Sequence, residues 1–134
     1  MALQLVHIED VDQNGNSLTC RVGDNVGLVL TLSLRITEGH FSKHENYEFD
    51  LAQHKEEVRE FLLSSYRFLY TKHPVSFYLP YTEGTMLRFD VFPSGENNED
   101  VQMLVMVNGH SCTLDFSVDI FGELVHKIDD YYRN

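Results

Sequence analysis

No apolar run in these 134 residues approaches the ~20 needed to cross a bilayer; the longest, 26–36, is broken by Thr31, Ser33 and Arg35. A membrane span is therefore not expected. The opening Met1-Ala2-Leu3-Gln4 lacks a basic stretch leading into an apolar segment, so a cytoplasmic chain without a secretion signal is expected. Cysteine is limited to Cys20 and Cys112, far apart and without Cys-x-x-Cys spacing. That suits reduced thiols packed on strands better than a zinc or redox site. Basic residues are few as well: 10 Lys and Arg face 21 Asp and Glu, for a net charge of -11 at pH 7. Such a chain repels phosphate and has no dense cationic stripe to release counterions, so nucleic acid is excluded as an expected partner. Also missing are Gly-x-Gly-x-x-Gly, a phosphate-binding loop ending in Lys-Ser/Thr, Gly-x-Ser-x-Gly and His-Glu-x-x-His. No catalytic, cofactor or metal residues are assigned, and no enzyme activity is expected.

What is present is strong periodicity. Leu28, Leu30, Leu32, Leu34 and Ile36 alternate with Val29, Thr31, Ser33 and Arg35, the pattern of a strand in a sheet with one dry face. Two shorter alternating runs precede it, one around Leu5 and His7, the other through Leu18, Cys20 and Val22; Asn14-Gly15-Asn16 separates them as a hairpin turn. A fourth, partly exposed strand is expected over 40–49, which carries Phe41, Tyr47 and Phe49 among polar residues. Asp50, with Gln53 three residues on, resembles a capping box, so a helix is expected from Leu51. Its dry stripe is Leu51, His54, Val58, Phe61, Leu62, Ser65 and Leu69, and Pro74 makes His73 its natural stop.

Strand patterns return at Val75, Phe77 and Leu79, and again at Leu87, Phe89 and Val91, around a turn at Glu83-Gly84. The polar segment 93–100 is expected to be a mobile loop. Asn108-Gly109 is the strongest hairpin signal, flanked by Val101, Met103, Val105 and Val107 on one side and Cys112, Leu114, Phe116 and Val118 on the other. Asp119 is the expected cap of a last helix with Phe121, Leu124, Val125, Ile128 and Tyr132 on one face. With no linker and no internal repeat, 1–134 is expected to be a single α+β domain. Its antiparallel sheet is a meander or half-open barrel of about eight strands, with a long central helix and a C-terminal helix.

Histidine and carboxylate pairs offer little chemistry. His40 and His44 are four apart, but on a strand that spacing separates them by ~13 Å, too far to share an ion. His110 and Cys112 flank Ser111 like a thiol and its base, yet Cys112 belongs with Leu114, Phe116 and Val118, expected to face the core. Glu56-Glu57 and Asp129-Asp130 are expected on wet helix faces.

Charge and aromatic residues say more. Residues 1–50 hold eight acids against three Lys and Arg, 51–82 three against four, and 83–134 ten against three. The negative field thus belongs to strands and loops, not to the long helix. Tyr66, Phe68, Tyr70, Phe77, Tyr78 and Tyr81 crowd sixteen residues, and alternation turns Tyr78 away from Phe77. Tyrosines beside acids have the composition of an interface, so Tyr78, Tyr81, Glu83, Glu96, Glu99 and Asp100 are the candidate partner-binding residues.

The succession of Val58-Arg59-Glu60-Phe61-Leu62 on the middle helix, Glu83-Gly84-Thr85-Met86-Leu87-Arg88-Phe89-Asp90-Val91 on strands and Gly122-Glu123-Leu124 on the last helix resembles the WapI-type immunity proteins of bacterial polymorphic toxin systems. The likeness is one of layout and spans roughly residues 26–134. It implies an immunity or antitoxin-like inhibitor, which would mask a cationic toxin domain with an acidic surface and use no cofactor. A small-ligand carrier or enzyme with a pocket at His54, Tyr66 or Tyr81 is a second reading. A structural subunit whose sheet edge pairs with another copy, giving a homodimer, is a third.

Overall fold

A computed structural model describes residues 4–9, 15–23, 27–82 and 85–133. Eight strands and two helices follow one another as β1 (Gln4–Glu9), β2 (Ser17–Gly23), β3 (Gly27–Glu38), β4 (Phe41–Asp50), α1 (Lys55–Thr71), β5 (Val75–Thr82), β6 (Thr85–Ser94), β7 (Asp100–Val107), β8 (His110–Ser117) and α2 (Val118–Arg133). The strands form two antiparallel meanders, β1-β2-β3-β4 and β5-β6-β7-β8. The fold is α+β, and its element order repeats: four strands then a helix, twice. That repetition is invisible as sequence similarity. No ladder joins the two sheets among the described residues, but β4 lies beside β5 and β1 beside β8.

Alternation puts one face of each sheet into a shared core. Leu28, Leu30, Leu32, Leu34 and Ile36 are buried along β3; Cys20 and Phe49 flank Leu30 in register, and Leu18 and Tyr47 flank Leu32. In the second sheet, Phe77 pairs with Phe89 and Phe89 with Val105, all buried. Phe77 stacks on Phe89 at 4.7 Å between ring centroids and takes Phe61 of α1 at 4.5 Å. Such aromatic pairs are worth ~1 kcal/mol beyond the area they bury. Both helices join the same cluster, through Val58, Phe61 and Phe68 of α1 and Phe121, Leu124, Val125 and Ile128 of α2. Cys20 is 1% exposed, and its thiol is pushed up to about 12 by burial. Cys112 packs against the core, half-buried, and no disulfide is formed.

Four local expectations are corrected. α1 begins at Lys55, not Leu51, because Asp50 accepts the Ala52 N–H to close a short 3-10 turn over Leu51–Gln53 and His54 then leaves helical geometry at φ -128°. Leu51 is drawn into the core, and its carbonyl accepts from the Tyr132 hydroxyl. At the other end Thr71 is the last helical residue. Lys72 caps it in the left-handed region at φ 59°, donating its N–H to the Phe68 carbonyl before Pro74 is reached. The last strand stops at Ser117, with Val118 already in α2, and Ser117, not Asp119, caps that helix, its Oγ accepting the Ile120 N–H at 3.2 Å. Finally, 93–100 is not a free loop: β6 extends to Ser94, a 3-10 turn covers Glu96–Asn98 and β7 starts at Asp100. Gly95 makes that tight turn, for at its φ of 77° any Cβ would lie 2.6 Å from the Asp100 carboxylate. The Asn108-Gly109 hairpin is as expected, with both residues at positive φ, 53° and 80°. The expected turn at Glu83-Gly84 lies outside the described residues, as does Asn14 of the first turn.

Candidate functional site

Between Arg88 and Lys127 the chain contains no Lys or Arg but seven acids, Asp90, Glu96, Glu99, Asp100, Asp115, Asp119 and Glu123. The fold gathers several of them. The turn after β6 is tied to the start of α2 by the Val118 N–H, which donates to the Glu99 carbonyl at 3.0 Å, while Asp100 lies opposite Ser117 across the β7/β8 ladder. Glu96, Glu99, Asp119 and Glu123 are exposed and enter no ion pair among the described residues. One end of the molecule is thus acidic and undischarged.

A surface groove of about 760 Å³ runs from that end along α2. Leu5, Val6, Leu69 and Val118 supply its apolar surface, and Leu5 is 56% exposed. Asp119, Glu123 and Asp130 line it together with His126 and Lys127. Gly122 opens into it. A Cβ there would touch nothing within 4 Å, although glycine inside a helix costs ~1 kcal/mol relative to alanine. Space is kept clear at the expense of helix stability.

The space between helices and sheets differs from this groove. The void bounded by Phe61, Phe77, Met103 and Leu124 measures about 10 Å³, at most a single water. It has no room for an organic ligand.

The residues singled out from sequence fall in two places. Glu96, Glu99 and Asp100 belong to the acidic end. Tyr78 lies elsewhere, opposite Arg88 on the outer face of the second sheet. Six residues of strand separate Arg88 from Ser94, ~20 Å, so Tyr78 and the three acids stand at different ends of β6. The Tyr81 side chain and Glu83 lie outside the described residues. Asp119, Glu123, Leu5 and Gly122 were not singled out as site residues; the long stretch without Lys or Arg is a signal that could have found the first two.

The remaining candidates have structural surroundings. His44 Nε2 lies 3.0 Å from the Gly15 carbonyl on an exposed strand, and His40 sits in the turn before β4. No cluster of three His, Cys, Asp or Glu suited to a metal occurs among the described residues. Asp129 is a correction. It is not on a wet face: its side chain is 14% exposed, accepts the Tyr66 hydroxyl at 2.5 Å and pairs with Arg133 at 3.0 Å, tying α1 to α2. Burial, aided by that hydrogen bond, pushes the Tyr66 phenol up to about 12.

Compared with known proteins, the chain matches no family model, no curated protein and no solved structure. No helix among the described residues is long and apolar enough to cross a membrane.

Proposed function

We propose that this chain is a cytoplasmic protein-binding inhibitor of the immunity or antitoxin type, and that the α2 groove with its acidic end receives a cationic segment of a toxin domain. The single observation that carries this reading is the joining of Glu96, Glu99, Asp119 and Glu123, through the Val118–Glu99 bond, beside a groove of apolar and charged residues left open at Gly122. Apolar surface provides affinity and the acidic rim provides steering and choice of partner, since unlike charges raise encounter rates and like charges repel wrong partners. No bond need be made or broken. The resemblance to WapI-type immunity proteins supports the same class.

The test is calorimetric titration against purified cationic nuclease toxin domains over a salt series. Wild type should bind and weaken as salt rises; the D119N/E123Q double variant should bind about tenfold more weakly, with a shallower salt slope. Affinity that ignores ionic strength in both proteins contradicts electrostatic masking.

A further inference from the structure

The second sheet carries a surface of opposite character. Its outward face exposes Tyr78, Met86 and Phe92, at 49%, 50% and 38%, with Leu104 and Met106 half-buried beside them. Register brings them together: Tyr78 lies opposite Arg88 and Arg88 opposite Met106, while Asp90 lies opposite Leu104. A hollow of about 340 Å³ opens next to Arg88, walled by Met86, Met106 and the Asn108-Gly109 hairpin. Tyr, Met, Phe and Arg are the residues enriched at the centres of protein interfaces.

Arg88 is the only Lys or Arg between Lys72 and Lys127, and it stands in the middle of this patch. It is held on two sides. Its Nε donates to Asp90 Oδ1 at 3.1 Å, and its guanidinium carbon lies 5.9 Å from the centroid of the Tyr78 ring, within cation–π range. Asp90 is itself 6% exposed although it belongs to the outward row, and Ser76 Oγ donates to the same oxygen at 2.6 Å. Burying a carboxylate is costly unless it is bonded. Here the bonds fix an arginine side chain that would otherwise sample many rotamers, while its terminal nitrogens have no partner among the described residues. A guanidinium fixed through Nε with its far edge open is arranged to take a carboxylate. Fixing it beforehand lowers the ordering cost of binding.

We propose that Arg88, positioned by Asp90 and Tyr78, anchors a second protein-binding surface on the outer face of β5–β7, and that its occupant is a protein segment presenting a side-chain carboxylate between apolar side chains. Complementarity at the open edge of Arg88 selects that occupant: Arg88 is the sole Lys or Arg of the sheet, its terminal nitrogens stay open beyond the Asp90 pair, and the hollow beside it, which His110 also lines, takes an apolar neighbour of the carboxylate. This surface is independent of the α2 groove, which prefers the opposite charge.

The experiment uses displayed short peptides with a central Glu, Gln or Lys and random flanks, selected on the whole protein. Enrichment of Glu peptides with apolar flanks is expected. The best of them should lose about tenfold in affinity when its Glu becomes Gln, and again on Arg88→Gln. Because Arg88→Gln strips a buried carboxylate of a partner and can unsettle the fold, Met86→Ser is the second variant; at a half-exposed site it leaves folding intact and should weaken binding several-fold. Arg88→Lys should fail to restore full affinity, and D119N/E123Q should bind the peptide as wild type does. Enrichment of Lys peptides, equal binding of Glu and Gln peptides, unchanged affinity in Met86→Ser, or no enrichment at all overturns the proposal. So does a dimer mass in light scattering that Arg88→Gln abolishes, which would assign the face to a second copy.

Discussion

Ser65 is fully buried on α1, and its hydroxyl has no hydrogen-bond partner among the described residues. An unsatisfied buried hydroxyl costs ~1–3 kcal/mol, so Ser65→Ala should raise unfolding free energy by roughly 1 kcal/mol in urea titration, helped by the better helix propensity of alanine. Cys20 and Tyr66 predict the response to alkali. Burial lifts the Cys20 thiol from 9.0 to about 12, and burial with the Asp129 bond lifts the Tyr66 phenol from 10.0 to about 12. In both, the folded state holds its proton more tightly than the unfolded chain. Their contribution is therefore fully present below pH 9 and is lost as pH rises from 9 towards 12. Urea midpoints should fall progressively above pH 9, and the fall should be shallower in Tyr66→Phe; a flat profile to pH 11 would contradict protonated burial of either group.

The elements differ in how much local pattern could reveal. Strict alternation along β3, the Asn108-Gly109 hairpin and the Phe121, Leu124, Val125 and Ile128 stripe were all legible, because strand and helix periods are properties of neighbouring residues. Phe68 was missed from the α1 stripe, though it is fully buried against Phe121 at 5.6 Å between ring centroids; that contact is supplied by α2, far along the chain. The start of α1 was misplaced for a similar reason, since Leu51 is drawn out of the helix by the core and by Tyr132. The division into two sheets was not legible either: alternation shows which face is dry but not which ladder a strand joins. Asp129 reads as surface until Tyr66 is placed beside it. Two substitutions test the element-level account of α2. Removing the cap in Ser117→Ala should cost about 1 kcal/mol. Gly122→Ala should add about 1 kcal/mol, because its methyl group enters open space, whereas Gly122→Leu should fill the groove and block binding without unfolding the protein.

At the scale of the molecule, a net charge of -11 is divided unevenly, with an acidic end at the start of α2 and a lone, fastened arginine on the outer face of the second sheet. A core shared by both sheets and both helices presents these two surfaces on different elements, so one chain can select a basic segment at one place and an acidic one at another. Of the sequence candidates, Glu96, Glu99 and Asp100 were singled out as acids of an interface composition, and the fold places them together at the end of β6 and the start of β7. The groove was not legible, since Leu5 and Glu123 come together only through packing of α2 against β1.

The most direct test of the central claim is an amide chemical-shift titration of the isotopically labelled protein with a cationic toxin domain. Perturbations concentrated on 5–6, 96–100 and 118–130, vanishing at high salt, are the predicted result. Shifts spread evenly over the molecule, or confined to the outer face of the first sheet, would contradict the groove as the site where a basic partner is held.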